Sequence, residues 1–249
     1  MRLDEHHRNI IVGSHTGEIK VYDILSGVMT HQLEGHSKEQ GEISFIGFGE
    51  GEDTIITTAW DRTIKVHGFE KLAEAKGKRS GASSGGGAKS ICLRSKVDCH
   101  ERDITCADYH HNLGLIATGA QDNTVKLFDY ETLREVHHFE DAHDSDVTMV
   151  KFLKPFPLLL TGDMEGNLFI WMTGGNYQCI MNWINTPGIM QFSQITAIDV
   201  YYREETPKLP RKFLLILGDE AGMVRIQNIE AILDKLPFLK PAPPISQKR

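Results

Sequence analysis

Cysteine is scarce in this sequence, and its four thiols, Cys92, Cys99, Cys106 and Cys179, form no paired framework. That usage excludes a disulfide-stapled scaffold and suits a reducing compartment. Zinc-type spacing is lacking as well. Cys99 and Cys106 stand seven positions apart, wider than the roughly two to four intervening residues of common zinc motifs. The twelve histidines do not repair this, because His110-His111 and His137-His138 are sequence neighbours. On a strand, neighbours point to opposite faces and cannot chelate together. Neither a metal nor a cofactor is expected. No apolar run approaches the roughly 20 residues of a membrane span. "MRLDEHHRN" carries no apolar core behind its charges, so no leader peptide is visible. Positive charge is short too: 27 Lys and Arg face 34 Asp and Glu, a net charge of -7. Concentrated phosphate contact needs the reverse, which argues against nucleic acid as a partner. "GASSGGG" lacks the Lys-Ser/Thr ending of a phosphate-binding loop.

What the sequence does have is repetition. "ATGAQDNTVKLFD", from Ala117 to Asp129, reads as two short strands joined by a polar turn. "LTGDMEGNLFIWM", from Leu160 to Met172, repeats it without a gap. Thr118 becomes Thr161, Asp122 becomes Glu165 and Phe128 becomes Trp171, each 43 residues on. His100 becomes His143 at the same step. "TTAWDRTIKVHG" aligns Thr57 and Asp61 with Thr118 and Asp122, and "VGSHTGEIKVYD" and "LGDEAGMVRIQN" supply weaker copies. A fixed period in this range marks a repeat architecture.

Each unit reads as four short strands. His100 precedes the first, Thr118 lies on the second, and Asp122 sits in the following turn. Antiparallel folding gathers the three at one end of a sheet. A partly buried carboxylate there accepts from an imidazole and from turn amides, and the imidazole bonds the hydroxyl. A fully satisfied network of this kind fixes register and needs no catalysis to explain it.

In these residues the sequence resembles the WD-repeat (WD40) β-propeller family. The family's Gly-His opening stands here as Gly35-His36, altered to Cys99-His100 and Ala142-His143. Its closing Trp-Asp pair stands as Tyr22-Asp23, His67-Gly68, Phe128-Asp129 and Trp171-Met172. The resemblance carries the family's network onto His36–Thr57–Asp61, His100–Thr118–Asp122 and His143–Thr161–Glu165, with Trp171 as the Trp member. The first copy has Val12 and Thr16 in the Thr and Asp places, and the fifth has Leu217 and Ala221.

The expected fold is all-β, a WD40-type propeller of about five four-stranded antiparallel blades over residues 1–228. The blades are set at 9–35, 36–98, 99–141, 142–185 and 193–228, the first and last incomplete. The first is expected to begin at its second strand. Residues 70–90 form a Gly/Ser-rich insertion in the second blade. Ile229, Ile232, Leu233 and Leu236 recur at helical spacing, so residues 229–249 read as a short helix and a Pro-rich tail. Such an array is expected to be part of a larger propeller, with further blades of the same parent chain as one partner, and a five-blade ring that closes on itself is the alternative.

The function expected from the resemblance is a non-catalytic protein–protein interaction scaffold, cytoplasmic, with other proteins as partners. Two alternatives stand beside it: a structural subunit of a large cytoskeletal or axonemal assembly, placed at the cytoskeleton or cilium, and a propeller-borne enzyme. The enzyme needs an acid–base or nucleophile constellation that the sequence does not display. Two candidate partner surfaces follow. One is the basic insertion with Lys76, Lys78 and Arg79, whose plain alternative is a solvated loop. The other is the apolar connection "MNWINTPGIMQF", with Trp183, Ile189, Met190 and Phe192, whose plain alternative is a cover for a sheet edge.

Overall fold

The computed structural model describes residues 1–4, 8–37, 39, 41–49, 54–68, 88–89, 91–140, 142–184, 193–236 and 239–242. Lys76, Lys78 and Arg79 of the basic insertion lie outside these residues, as do Ile189, Met190 and Phe192 of the apolar connection. The chain divides into two compact units, Met1–Ile104 and Thr105–Arg249.

The first unit holds two sheets. One runs β1 (Arg2–Leu3), β2 (Asn9–Gly13), β3 (Ile19–Asp23) and β4 (Met29–Gln32). The second runs β5 (Ile43–Phe48), β6 (Thr54–Ala59), β7 (Ile64–Gly68) and β9 (Ile91–Lys96). The short β8 (Ala88–Lys89), from the end of the insertion, joins the first sheet in parallel with β4. Ile11, Ile19 and Val21 of the first sheet, with Leu33 just after β4, pack with Ile46 and Ile55 of the second.

One expectation is corrected here. The first repeat does not begin at its second strand, because Arg2 pairs with Ile11 and Leu3 with Ile10. Two residues with one apolar side chain carry no readable period. The turn is tied by Asp4, whose carboxylate accepts from the Arg8 and Asn9 N–H groups at 2.7 and 3.1 Å.

The second unit holds three sheets. The third sheet of the chain runs β10 (Ile104–His110), β11 (Leu115–Ala120), β12 (Val125–Asp129) and β13 (Glu135–Phe139). The fourth runs β14 (Val147–Phe152), β15 (Leu158–Asp163), β16 (Asn167–Met172) and β17 (Cys179–Ile184). The fifth has three strands, β18 (Ile195–Arg203), β19 (Lys212–Asp219) and β20 (Val224–Asn228), followed by α1 (Glu230–Lys235). Trp183 is therefore on β17, paired with Leu168, rather than in a connection. It packs half-buried on the core below.

Apart from the parallel β8 at the edge of the first, the five sheets are antiparallel meanders in chain order, the blade unit of a propeller. Every residue of β15 is buried, because one side of blade four packs on blade three and the other on blade five. Successive side chains of a strand point to opposite faces, so such a strand reads as a continuous apolar run. In place of a fourth strand, blade five is followed by α1, whose Ile232 and Leu233 pack with Phe213 and Leu215. A shared irregularity also marks the repeat. The pairing of third and fourth strands slips at Val21/Tyr22, Val66/His67, Leu127/Phe128 and Ile170/Trp171. Such bulges add twist and re-aim the side chain that follows.

Candidate functional site

In blade two, His36 precedes β5, Thr57 lies in the middle of β6 and Asp61 lies in the turn after it. Antiparallel pairing brings them together. His36 Nδ1 stands 3.0 Å from Asp61 Oδ1, and its Nε2 stands 2.9 Å from Thr57 Oγ1. The Ser37 and Thr63 N–H groups donate to the same carboxylate at 2.8 and 3.1 Å. The carboxylate accepts only, so His36 donates from Nδ1 and leaves Nε2 as acceptor for the Thr57 hydroxyl. Thr57 Oγ1 keeps a lone pair for His67 Nε2, 3.0 Å away on β7. His67 was not anticipated as a member. It stands after the bulge, in the place that Trp171 holds in blade four, and that shared slot is the sequence signal for it.

Blade four repeats the device with different parts. His143 Nε2 stands 2.8 Å from Thr161 Oγ1, and Trp171 Nε1 donates to the same oxygen at 2.9 Å. The acid is a correction to the sequence reading. Asp163, not Glu165, meets His143 Nδ1, at 3.0 Å. The Asp163 carboxylate also accepts from the Glu165 and Asn167 N–H groups and from Asn167 Nδ2, at 3.0, 2.9 and 2.9 Å. Glu165 is exposed. Asp163 already takes the His143 Nδ1 contact from the end of β15, and a second carboxylate beside it is disfavoured by like charge. The gap-free step of 43 residues conceals this, because it aligns turn with turn. The Gly-Asp pair Gly162-Asp163, seen again at Gly218-Asp219, is the signal that finds it. Asp219 is buried and accepts from the Met223 N–H at 2.9 Å.

His100 lies in the first unit and is buried. Thr118 and Asp122 lie in the second, where Asp122 accepts from Thr124 N and Oγ1 at 3.1 and 2.6 Å. Thr118 is fully buried and donates to Lys126 O at 3.5 Å.

Charge states follow from these contacts. Burial alone would raise the Asp61 carboxyl, but the His36 bond and the Ser37 and Thr63 amides outweigh it and hold the group below its ordinary range. Asp163 is likewise held low against its burial, by His143 and Asn167. Burial, with His36 and Lys65 nearby, drives His67 down to about 4, against a smaller upward pull from Glu34. Its Nδ1 is buried without a partner. Burial pushes the Cys106 thiol up to about 12, which leaves it unreactive. Among the described residues, no group of three or more His, Cys, Asp or Glu could hold a metal ion.

The arrangement can pin a turn, and little else. Thr57 and Thr161 are 0 % exposed, so neither hydroxyl can meet a substrate. Each pinned turn has a residue in the left-handed region, Arg62 at φ 62° in blade two and Gly166 at φ 83° in blade four. Each displays a large apolar side chain to solvent, Trp60 in the first and Met164 in the second.

Comparison with known proteins agrees with this geometry. Residues 27–67 and 91–129 match the family model of the WD domain, G-beta repeat. The chain carries WD40 repeats. WD-repeat relatives include human WD repeat-containing protein 3, 23% identical over 127 residues that cover 51% of this chain and 12% of that protein. Another is Transcription initiation factor TFIID subunit 5 of Caenorhabditis elegans, 24% identical over 174 residues, covering 61% and 26%. This WD-repeat chain thus spans about a quarter or less of the length of these two relatives. Among solved structures, the computationally designed Ika8 protein is similar with a TM-score of 0.61 at 22% identity, over 89% of this chain and 56% of that one. The WD40 fold is all-β here, as the blades show.

Proposed function

We propose that the chain is a non-catalytic scaffold that binds other proteins through its pinned turns. WD repeats typically mediate protein–protein contact. The observation that carries the reading is the pairing of a buried hydrogen-bond network with an exposed apolar side chain on the turn it holds. A rigid turn loses little conformational entropy on binding, and an exposed Trp is the kind of anchor that dominates interfaces. Membership of a larger assembly is supported by the relative whose name makes it a subunit of TFIID. The setting we propose is cytoplasmic and reducing, because the four cysteines form no disulfide in the structure.

The test is affinity capture of the chain from its native cells with quantitative mass spectrometry, run beside Trp60→Ala and Met164→Ala. The expected result is a small set of proteins in fixed ratio, reduced by at least one variant whose thermal transition matches the parent. Capture of chaperones alone, or capture indifferent to both substitutions, removes the reading.

A further inference from the structure

Two exposed methionines of the second unit stand where the sequence has run out of positive charge. From Pro155 to Tyr202 it contains no lysine or arginine, and none occurs from Glu135 to Val150 or from Phe213 to Val224. Those stretches supply the links into blades four and five and the turns between their second and third strands. Backbone contacts join these pieces into one strip. The Met164 N–H donates to Asp146 O at 3.0 Å, which ties the blade-four turn to the link before β14. At the other end of that turn the Gly166 backbone lies so near the next link that a Cβ there would stand 2.6 Å from Ser193 O. The Glu220 N–H donates to Gln194 O at 3.1 Å, which carries the strip on to the blade-five turn.

Met164 is 54 % and Met223 48 % exposed on this strip. Around them Asp144, Glu165 and Glu220 are exposed and Asp146 is half-buried. Among the described residues none of these four carboxylates has an ion-pair partner. The corresponding turn of the first unit is different. Beside Trp60 it carries its own cation, Arg62, whose guanidinium stands 2.9 Å from Asp98. Carboxylates held on fixed turns repel one another, and a cationic partner relieves that repulsion. A methionine side chain is flexible and polarisable, so it packs on apolar groups of varied shape.

We propose that this strip docks a basic segment of a partner protein, one that sets an apolar side chain among lysines or arginines. The apolar group packs on Met164 and Met223, and the cations meet Asp144, Glu165 and Glu220. A neutral or acidic segment of the same shape is refused, because it leaves the carboxylates uncompensated or opposes them with like charge. The inference rests on the scaffold reading and adds to it the charge of the partner.

The probe is a short labelled peptide of lysine and leucine, titrated with the full chain by fluorescence anisotropy, beside peptides with glutamine or glutamate in place of lysine. The expected Kd is on the order of 10–100 µM for the lysine peptide, about tenfold or more tighter than for either control. Binding should weaken as salt rises from about 50 to about 300 mM. Glu165→Gln combined with Glu220→Gln should weaken it about tenfold, and Met164→Ala should weaken it as well. Glu204→Gln combined with Glu205→Gln removes the same charge from the β18–β19 turn and should leave binding unchanged. All four glutamates are exposed, so the thermal transitions should match the parent. Equal binding of the three peptides overturns the proposal. Equal losses from the two glutamine pairs also overturn it, since they mean diffuse attraction to an acidic protein. Cellular partners lost with Met164→Ala yet kept by the Glu165→Gln, Glu220→Gln variant overturn the basic partner and leave the scaffold reading standing.

Discussion

Blades two and four solve one problem with different chemistry. Both clamp a turn with His, Thr and a carboxylate. Blade four closes the clamp with Trp171, an N–H that only donates, on an aspartate with 0% side-chain exposure and four donors. Blade two closes it with His67, an imidazole with a second, unsatisfied nitrogen, on an aspartate whose side chain is 11% exposed. The second contains a titratable ring where the first contains an indole. The second clamp therefore carries a ring held near 4 that has no counterpart in the first.

The largest expected effect sharpens the difference in burial. Asp163→Ala leaves the His143 imidazole and the Asn167 and Glu165 donors unpaired in the interior and should cost about 3–5 kcal/mol, as breaking a buried charged network does. Asp61→Ala, with water in reach of the vacated donors, should cost about 2 kcal/mol. Urea unfolding of the two variants measures the order, and a reversed order would break the comparison.

Next comes acidity. The folded chain holds His67 near 4, whereas an unfolded histidine titrates near 6.5. Below about pH 6.5 the unfolded state binds a proton that the folded state refuses, so His67 favours folding fully above that pH and loses this contribution as pH falls toward 4. The loss is at most on the order of 3 kcal/mol. His110 in blade three, also held near 4 by burial and by Lys154, adds a second slope of the same sign. The measurement is therefore a difference: His67→Phe should flatten the stability profile between pH 6.5 and 4 relative to the parent. Hydrogen exchange at pH 5 should show β6 and β7 opening before β15 and β16.

Smaller effects complete the series. Trp171→Phe removes one donor to Thr161 and should cost about 1 kcal/mol in thermal unfolding. Glu165→Ala should stay within about 0.5 kcal/mol, because the side chain is exposed and outside the clamp. A larger cost would return Glu165 to the role that the repeat alignment gave it.

The number and order of the blades were legible because alternating strands and polar turns recur at near-constant spacing, and local pattern suffices to see that. His36, Thr57 and Asp61 were legible for the same reason. Asp163 was not, since a one-dimensional alignment matches turn to turn and cannot say which of two nearby carboxylates reaches the imidazole. His67 was hidden because its role depends on a bulge that aims it at Thr57.

The sequence by itself determined a repeated four-stranded unit, the register of its apolar faces and the His–Thr–carboxylate vocabulary. These are consequences of side-chain alternation and turn chemistry along the chain. Only the tertiary structure decided which acid closes the fourth blade, that Arg2 and Leu3 pair with β2 in the first sheet, that α1 lies on the blade-four side of blade five, and that the acidic turns of blades four and five join in one strip. Those outcomes depend on distance and burial between segments far apart in sequence, and periodicity carries no information about either.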